Sequence, residues 1–448
     1  MQFLNYLNFS KKFFFAIGLS ATLLACNSDV KPGAKIQAQD LKQDSLPEVE
    51  KEKIVKFKLS FLGDLMQHSL QITAAYDAKN KIHDYEPSFR YVAPLFHNDD
   101  LTIGNLEFTT NSRGVYTGYP RFRSPDTIIQ VLKDAGIDML TTCNNHSNDD
   151  DGKGLVHTLE TLKKVGFLYT GTFADSAQRA AEYPLLVTLE KEGVQLRLAF
   201  INYTYSTNGI PTQKPTIVNM IDTVQMLIDI EKAKASKPDM IIAIVHWGDE
   251  YQLNENKNQR ALAEFLYKND VPVVIGGHPH VIQPIKVDTF IDKHGKKATG
   301  LCTYSLGNFI SNQERPNTDI GLIFEMEIEK NSLTKTTTVS DHSYILAWRY
   351  IFQRHLPLEK RVYTVLPVSA FESDSTNYMK MQPSQLQAMK QTAERMRKHL
   401  GKYQSKERIV KFEEIVQDNM LTIDQRNPFT PAPKMSEESI KESVKATN

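Results

Sequence analysis

Residues 240–251 read MIIAIVHWGDEY and residues 271–281 read VPVVIGGHPHV. Each is an apolar, β-branched run that stops abruptly at metal-ligand side chains. His246 ends the first, and His278 and His280 follow Gly276-Gly277 in the second. Such runs predict buried strands. A helical pattern precedes each, over Met220 to Ala235 and Gln259 to Lys268, so the repeated unit is helix, strand, polar terminus. In layered α/β folds ligands gather outside the carboxyl ends of strands. These two ends are therefore where a site is expected.

The same grammar recurs outward from them. Val55 to Leu62 predicts a strand ending in Gly63-Asp64, with His68 just beyond. Leu101 to Gly104 predicts another, ending at Asn105 and Glu107, and Ile137 to Thr142 a third, ending at Asn144-Asn145-His146. The third follows a helix pattern over Thr127 to Asp134 and a stop at Gly136. Antiparallel pairs are expected for Leu185 to Leu189 with Leu196 to Ile201 across Glu192-Gly193, and for Ile285 to Ile291 with Leu301 to Ser305 across His294-Gly295. The fold class is α/β over residues 54–371, with a mixed sheet or two sheets face to face and helices outside. Leu386, Met389, Ala393, Met396 and Leu400 share one helix face and predict a helical extension over residues 372–427, followed by a polar, disordered tail over 428–448.

Composition bounds the partners. The chain has 448 residues, 41% of them hydrophobic, and 53 basic side chains balance 53 acidic ones. Without a net field, no nucleic-acid partner is argued, and recognition of an anion has to be local. Lys11 and Lys12 precede an apolar run from Phe13 to Ala25 that is too short to span a bilayer but suits a signal-peptide core over residues 1–25. The run ends Leu23-Leu24-Ala25-Cys26, which matches a lipobox, so the chain is expected to be exported and anchored in a bacterial envelope by acyl chains on Cys26. Residues 26–53, polar and holding Pro32 and Pro47, read as a flexible tether. Cys143 and Cys302 belong to no Cys-x-x-Cys pair; export would permit one bond between them, and the plainer reading is two small buried hydrophobes.

Taken singly, an Asp or His after a strand is ordinary turn or capping chemistry. Jointly, five strand ends supply carboxylates, an Asn and several imidazoles, a mixture suited to Mn, Fe or Zn rather than to Mg or Ca alone.

Here the sequence resembles a known family. The ordered set Gly63-Asp64-Leu65-Met66, Asn105-Leu106-Glu107, Asn145-His146 with Asp149 and Gly152, His246-Trp247-Gly248-Asp249-Glu250-Tyr251, Gly277-His278-Pro279-His280-Val281 and Ser305-Leu306-Gly307-Asn308-Phe309 is similar to the CapA/PgsA capsule-synthesis domain, over about Phe57 to Glu327. The resemblance implies an α/β/β/α sandwich like that of calcineurin-like metallophosphoesterases, one or two divalent ions, and a link to poly-γ-glutamate capsule formation. It further implies Asp64, Glu107, Asn145, His246, His278 and His280 as metal ligands and His146 as general acid. Two departures stand out. The superfamily usually begins with Asp-x-His, whereas Met66 stands two residues after Asp64, and His68 is left to act as a ligand or to contact substrate, as Asn105 could. Glu107 stands where an Asp generally bridges the ions.

Arg113, Arg121 and Arg123 lie in a turn-rich segment between the Glu107 strand and the next helix. They read as a solvated loop or, with Arg121 and Arg123 foremost, as a holder of substrate carboxylates. The function expected first is a metal-dependent hydrolase or transferase on an anionic polymer or peptide containing glutamate. A non-catalytic accessory that binds polymer or capsule-export proteins is the second expectation. A broad phosphodiesterase or nucleotidase is the third and needs the missing Asp-x-His.

Overall fold

The computed structural model describes residues 51–111, 113–292, 295–372 and 378–416. The expected signal segment, Cys26, nearly all of the tether, the tail and the end of the helical extension lie outside the described residues, as does His294.

Two mixed sheets carry the fold. The first runs Val362–Pro367, Thr337–Phe352, Ile320–Asn331, Ile54–Leu65, Leu101–Leu106, Met139–Thr141, Leu168–Thr170, with Asn308–Ile310 paired beside the end of Ile54–Leu65. Ile54–Leu65 is its pivot: antiparallel to Ile320–Asn331 on one side and parallel to Leu101–Leu106 on the other. The second sheet runs Leu185–Lys191, Val194–Thr204, Met240–His246, Val273–Gly277, Lys297–Thr303, Ile285–Ile291, parallel at its centre and antiparallel at both edges.

Side-chain alternation sets the layers. Along Met240–His246, Ile242 and Ile244 join the core shared with Phe57, Leu59 and Phe61 of the first sheet. Ile241, Ala243 and Val245 face the other way, onto Ile230 and Leu262 of the helices Thr223–Ala235 and Lys257–Lys268. A strand buried on both faces reads as an unbroken apolar run, which explains the sequence 240–245. Phe89 and Phe96, from two short helices beside the first sheet, pack their rings against Phe309. The order is helix, sheet, sheet, helix.

Local chemistry moved several boundaries. The helix expected from Met220 begins at Thr223, because the Asp222 carboxylate accepts from the amides of Val224 and Gln225. Asn256 and Gln259 form a capping box that starts the next helix at Lys257. Glu192 and Gly193 take φ of 54° and 76°, the left-handed pair a two-residue hairpin needs. Ile285–Ile291 pairs with Lys297–Thr303, so the expected partner is met over Leu301 to Thr303 and the strand begins earlier than expected, at Lys297, beside the Lys296 carbonyl that accepts the Asp292 amide at 2.8 Å. Met389, Ala393, Met396 and Leu400 of the helix Pro383–Gly401 are buried in the same core as the first sheet, with Leu386 half-buried against it. Cys143 and Cys302 are buried, free, and belong to different apolar clusters.

Candidate metal centre

Asp64 is positioned by an exceptionally close approach of backbones. Its amide donates to the Gly307 carbonyl at 2.9 Å, and a Cβ on the preceding Gly63 would lie 2.0 Å from that same oxygen. Only glycine fits there. The Asp64 carboxylate is fully buried. Asn105 Nδ2 donates to Oδ1 at 2.8 Å; His280 Nδ1 donates to Oδ2 at 3.1 Å, and the His278 amide at 3.3 Å. Gly277 leaves room for this: a Cβ there would sit 2.8 Å from Asp64 Oδ1.

The histidine tautomers follow from their partners. His280 Nδ1 also lies 3.0 Å from Asn308 Oδ1, so it meets two acceptors and holds the proton. Its Nε2 lone pair is then directed toward Glu107, 3.8 Å from Oε1. A carboxylate behind an imidazole whose other nitrogen faces the site is the arrangement that orients metal-binding histidines. His246 Nδ1 accepts from Asn105 Nδ2 at 3.3 Å, and its Nε2 lies 2.7 Å from Asn145 Oδ1 and 3.4 Å from Glu107 Oε1. His278 and His280 both have positive φ, 100° and 59°, a cost for non-glycine residues that turns both rings toward one space.

Glu107 is the focus. It is fully buried, yet among the described residues neither of its oxygens meets a hydrogen-bond donor, and His278 Nδ1 is likewise unpartnered. Ligand atoms of Glu107, His278 and His280 lie within 4.8 Å of one another, as do those of Asp64, Glu107 and His246. The two triads share Glu107. Burial and the charge of Asp64 push the Glu107 carboxyl well above its ordinary range. Burial, the largest single influence, would raise Asp64 too, but the hydrogen bonds from His280 and Asn105 and the neighbouring imidazoles of His280 and His246 together outweigh it and hold that carboxyl low. Burial pushes His246 down to about 3 and, with His246 and His280 as neighbours, His278 well below the imidazole range. Two crowded carboxylates, neutral imidazoles and idle buried acceptors fit a divalent cation, which would supply the missing charge and the missing partners.

The other expected residues fall around this centre. His146 Nδ1 donates to Asp149 Oδ2 at 2.7 Å, and that oxygen also accepts the Phe122 amide at 2.6 Å. The His146 ring rests edge-on against Phe122, at 4.5 Å between centroids. Asn105 joins the carboxylate to the next strand end, since its Oδ1 accepts from Asn144 Nδ2 at 3.2 Å. His68 belongs to neither triad: it precedes the helix Ser69–Ala75, its Nδ1 accepts the Asn312 amide at 3.2 Å, and burial pulls it down to about 4. Arg121 donates to Asp151 Oδ1 at 2.7 Å, Arg123 pairs with Asp150 Oδ1 at 3.0 Å, and Arg113 pairs with Asp150 as well. These arginines brace the loop that carries His146.

Asn308, Asp149 and Tyr205 are site residues that residue type alone does not single out. Tyr205 places its ring 4.5 Å from that of His278. Asn308 was within reach, because Gly307-Asn308 ends an apolar run as the ligand-bearing turns do.

The profile of the family described as "Bacterial capsule synthesis protein PGA_cap" matches residues 58–313, more than half of the chain. The chain belongs to this family. Among curated proteins it is similar to the "Capsule biosynthesis protein CapA" of Bacillus anthracis, 26% identical over 287 residues, covering 62% of this chain and 65% of that protein. It is equally similar to the "PGA biosynthesis protein CapA" of Bacillus subtilis (strain 168), 26% identical over 280 residues, covering 61% of this chain and 68% of that one. The chain thus spans about two thirds of the length of each relative. Among solved structures it is similar to the NAD nucleotidase NadN of Haemophilus influenzae, with a TM-score of 0.41 and 12% identity over 77% of this chain and 56% of that one. The calcineurin-like phosphoesterase YfkN of Bacillus subtilis gives a TM-score of 0.37 and 15% identity over 66% of this chain and 91% of that one.

Proposed function

We propose that this member of the PGA_cap family is a metal-dependent hydrolase or transferase in capsule synthesis, acting on an anionic, glutamate-containing polymer. The observation that carries the reading is Glu107, a fully buried carboxylate with two idle oxygens, ringed by Asp64, His246, His278 and His280. The name of the Bacillus anthracis relative supports the link to capsule synthesis, and the "PGA biosynthesis" of the Bacillus subtilis one supports the substrate class.

Asp64, Glu107, Asn145, His246, His278 and His280 would hold one or two divalent ions of the Mn, Fe or Zn type. A bound ion supplies Lewis-acid polarisation and acidifies water. The remaining work falls to the chain. Asp149 fixes the His146 tautomer with the proton on Nδ1, which leaves Nε2 to carry a second proton toward a leaving group. The Phe122 ring limits rotation of that imidazole.

The test is metal per chain together with release of shortened or transferred product from poly-γ-glutamate. Saturating ion is expected to raise unfolding stability by about 4 kcal/mol at a thousandfold excess over Kd. A fully metal-loaded chain that binds polymer without turning it over would instead support the accessory reading. Hydrolysis of a generic phosphodiester would support the nucleotidase reading.

We also propose that the protein is exported and held at the envelope through Cys26. Cys26→Ser offers a hydroxyl that cannot form the thioether to the lipid. Metabolic labelling with a fatty-acid analogue should vanish in that variant, and retained label would mean another anchor.

A further inference from the structure

Arg121 and Arg123 are already matched to Asp151 and Asp150, so recognition of a polyanion has to draw on other cations. A cleft of about 500 Å³ opens between residues 314–319, the strand Thr337–Phe352 and the helix Pro383–Gly401. Four arginines line it, Arg315, Arg349, Arg354 and Arg395, against two carboxylates, Glu314 and Asp319. Arg354 pairs with Glu314, and the Asp319 carboxylate accepts from Trp348 Nε1 at 3.1 Å. Among the described residues, no carboxylate pairs with Arg315, Arg349 or Arg395.

Arg349 is the telling member. Its side chain is only 5% exposed. Its Nη2 donates to the Gln313 carbonyl at 2.9 Å, while its Nε–H meets no acceptor among the described residues. A buried guanidinium with an idle donor is costly unless an anion meets it. Burial pulls its pKa below the ordinary guanidinium value in spite of nearby Asp319.

The cleft adjoins the metal centre. Gln313 Oε1 accepts from Asn308 Nδ2 at 2.9 Å, and Asn308 Oδ1 accepts from His280 Nδ1 at 3.0 Å. The Arg315 guanidinium lies 4.4 Å over the Tyr251 ring, whose centroid is 6.2 Å from that of His280.

We propose that this cleft is an anion subsite that takes a carboxylate of a chain whose reacting bond lies at the metal centre. Arg349 is its fixed donor, and Arg315 and Arg395 form its rim. A planar carboxylate matches the paired donors of guanidinium, and a polymer with a carboxylate on every unit can present one group here while another part occupies the centre. The inference rests on the substrate class proposed above, and its test separates the two.

The full chain is titrated calorimetrically with a short γ-linked glutamate oligomer and with its side-carboxyl amide, and inorganic phosphate serves as competitor. The oligomer is expected to bind, and its amide about tenfold more weakly or worse. Arg349→Gln should weaken oligomer binding about ten- to hundredfold, the worth of a charge-assisted hydrogen bond, with metal per chain unchanged. Arg315→Gln and Arg395→Gln, exchanges at the rim that keep the proposal testable if Arg349→Gln fails to fold, should each weaken it about two- to fivefold. Unchanged affinity in both rim variants overturns the subsite. Equal binding of oligomer and amide, with phosphate displacing both in an arginine-dependent way, overturns the carboxylate assignment. Arginine-dependent binding without turnover retires the hydrolase and keeps the subsite; turnover with KM unmoved in all three variants does the reverse.

Discussion

His280→Ala is expected to empty the metal centre, and His146→Ala to leave it filled but slow. His280 presents Nε2 to Glu107 while Asp64 and Asn308 hold its other nitrogen, so truncation removes a ligand and also leaves Asp64 Oδ2 without that donor. Metal affinity should fall by about a hundredfold or more, beyond what loss of an outer-layer partner costs. His146 belongs to neither ligand triad and is tied to Asp149 instead. Its loss should slow turnover by about 10² to 10⁴ while metal per chain stays near the wild-type value. Asn145→Ala is the internal comparison: it neighbours His146 in sequence but faces His246 Nε2 at 2.7 Å, and should shed metal like a mild His280→Ala. Metal and rate measured on the three variants decide the matter. If His146→Ala sheds metal as fully as His280→Ala, the acid assignment is wrong.

Gly63→Ala should damage the centre without touching a ligand. The added methyl would meet the Gly307 carbonyl oxygen at 2.0 Å and its carbon at 3.0 Å, both backbone, so no side chain can swing aside. Relief requires Ile54–Leu65 to part from the 306–308 segment, which breaks the hydrogen bond from the Asp64 amide to the Gly307 carbonyl and shifts Asp64 and Asn308 together. A loss of about 3 kcal/mol in unfolding free energy is expected, at the upper end for overpacking, together with weaker metal binding. Gly401→Ala is the control. A Cβ there meets nothing within 4 Å at the end of its helix, so the change should stay within about 1 kcal/mol and lean toward stabilisation. Chemical denaturation of both variants, with and without added Mn, measures the contrast; a Gly63→Ala chain as stable as wild type would mean that the two backbones part freely.

The strand ends were legible in the sequence because a strand buried on both faces leaves an unbroken apolar run, as over 240–245, and the first polar residue after it marks the rim. The helix Thr127–Asp134 was legible to the residue for a similar reason, since its apolar spacing is clean and Gly136 stops it. The strands Ile320–Asn331 and Thr337–Phe352 were not. In Ile320–Asn331, Phe324, Met326 and Ile328 alternate with Glu325, Glu327 and Glu329, the period of a strand buried on one face, but nothing in that stretch names its partner: Lys56 and Lys58 of a strand far away in sequence come to face the glutamates. The arginines failed in the same way. Arg121 and Arg123 look free along the chain, and only the fold brings Asp151 and Asp150 to them. Arg349 gave no signal at all, because it sits inside an apolar strand segment where a cation is unexpected.

The proposed ligands come from both sheets. Asp64 and Glu107 ride at the ends of strands in the first, and His246, His278 and His280 at the ends of strands in the second. Elsewhere the seam between the sheets is filled by side chains such as Phe61, Ile103, Leu198 and Ile275, whose attraction has no preferred direction. An ion at this rim would be a clasp. It would set the spacing of the two layers where substrate lies, while the apolar seam keeps the sandwich closed. Removing the ion would therefore slacken the mouth of the molecule and leave its body folded.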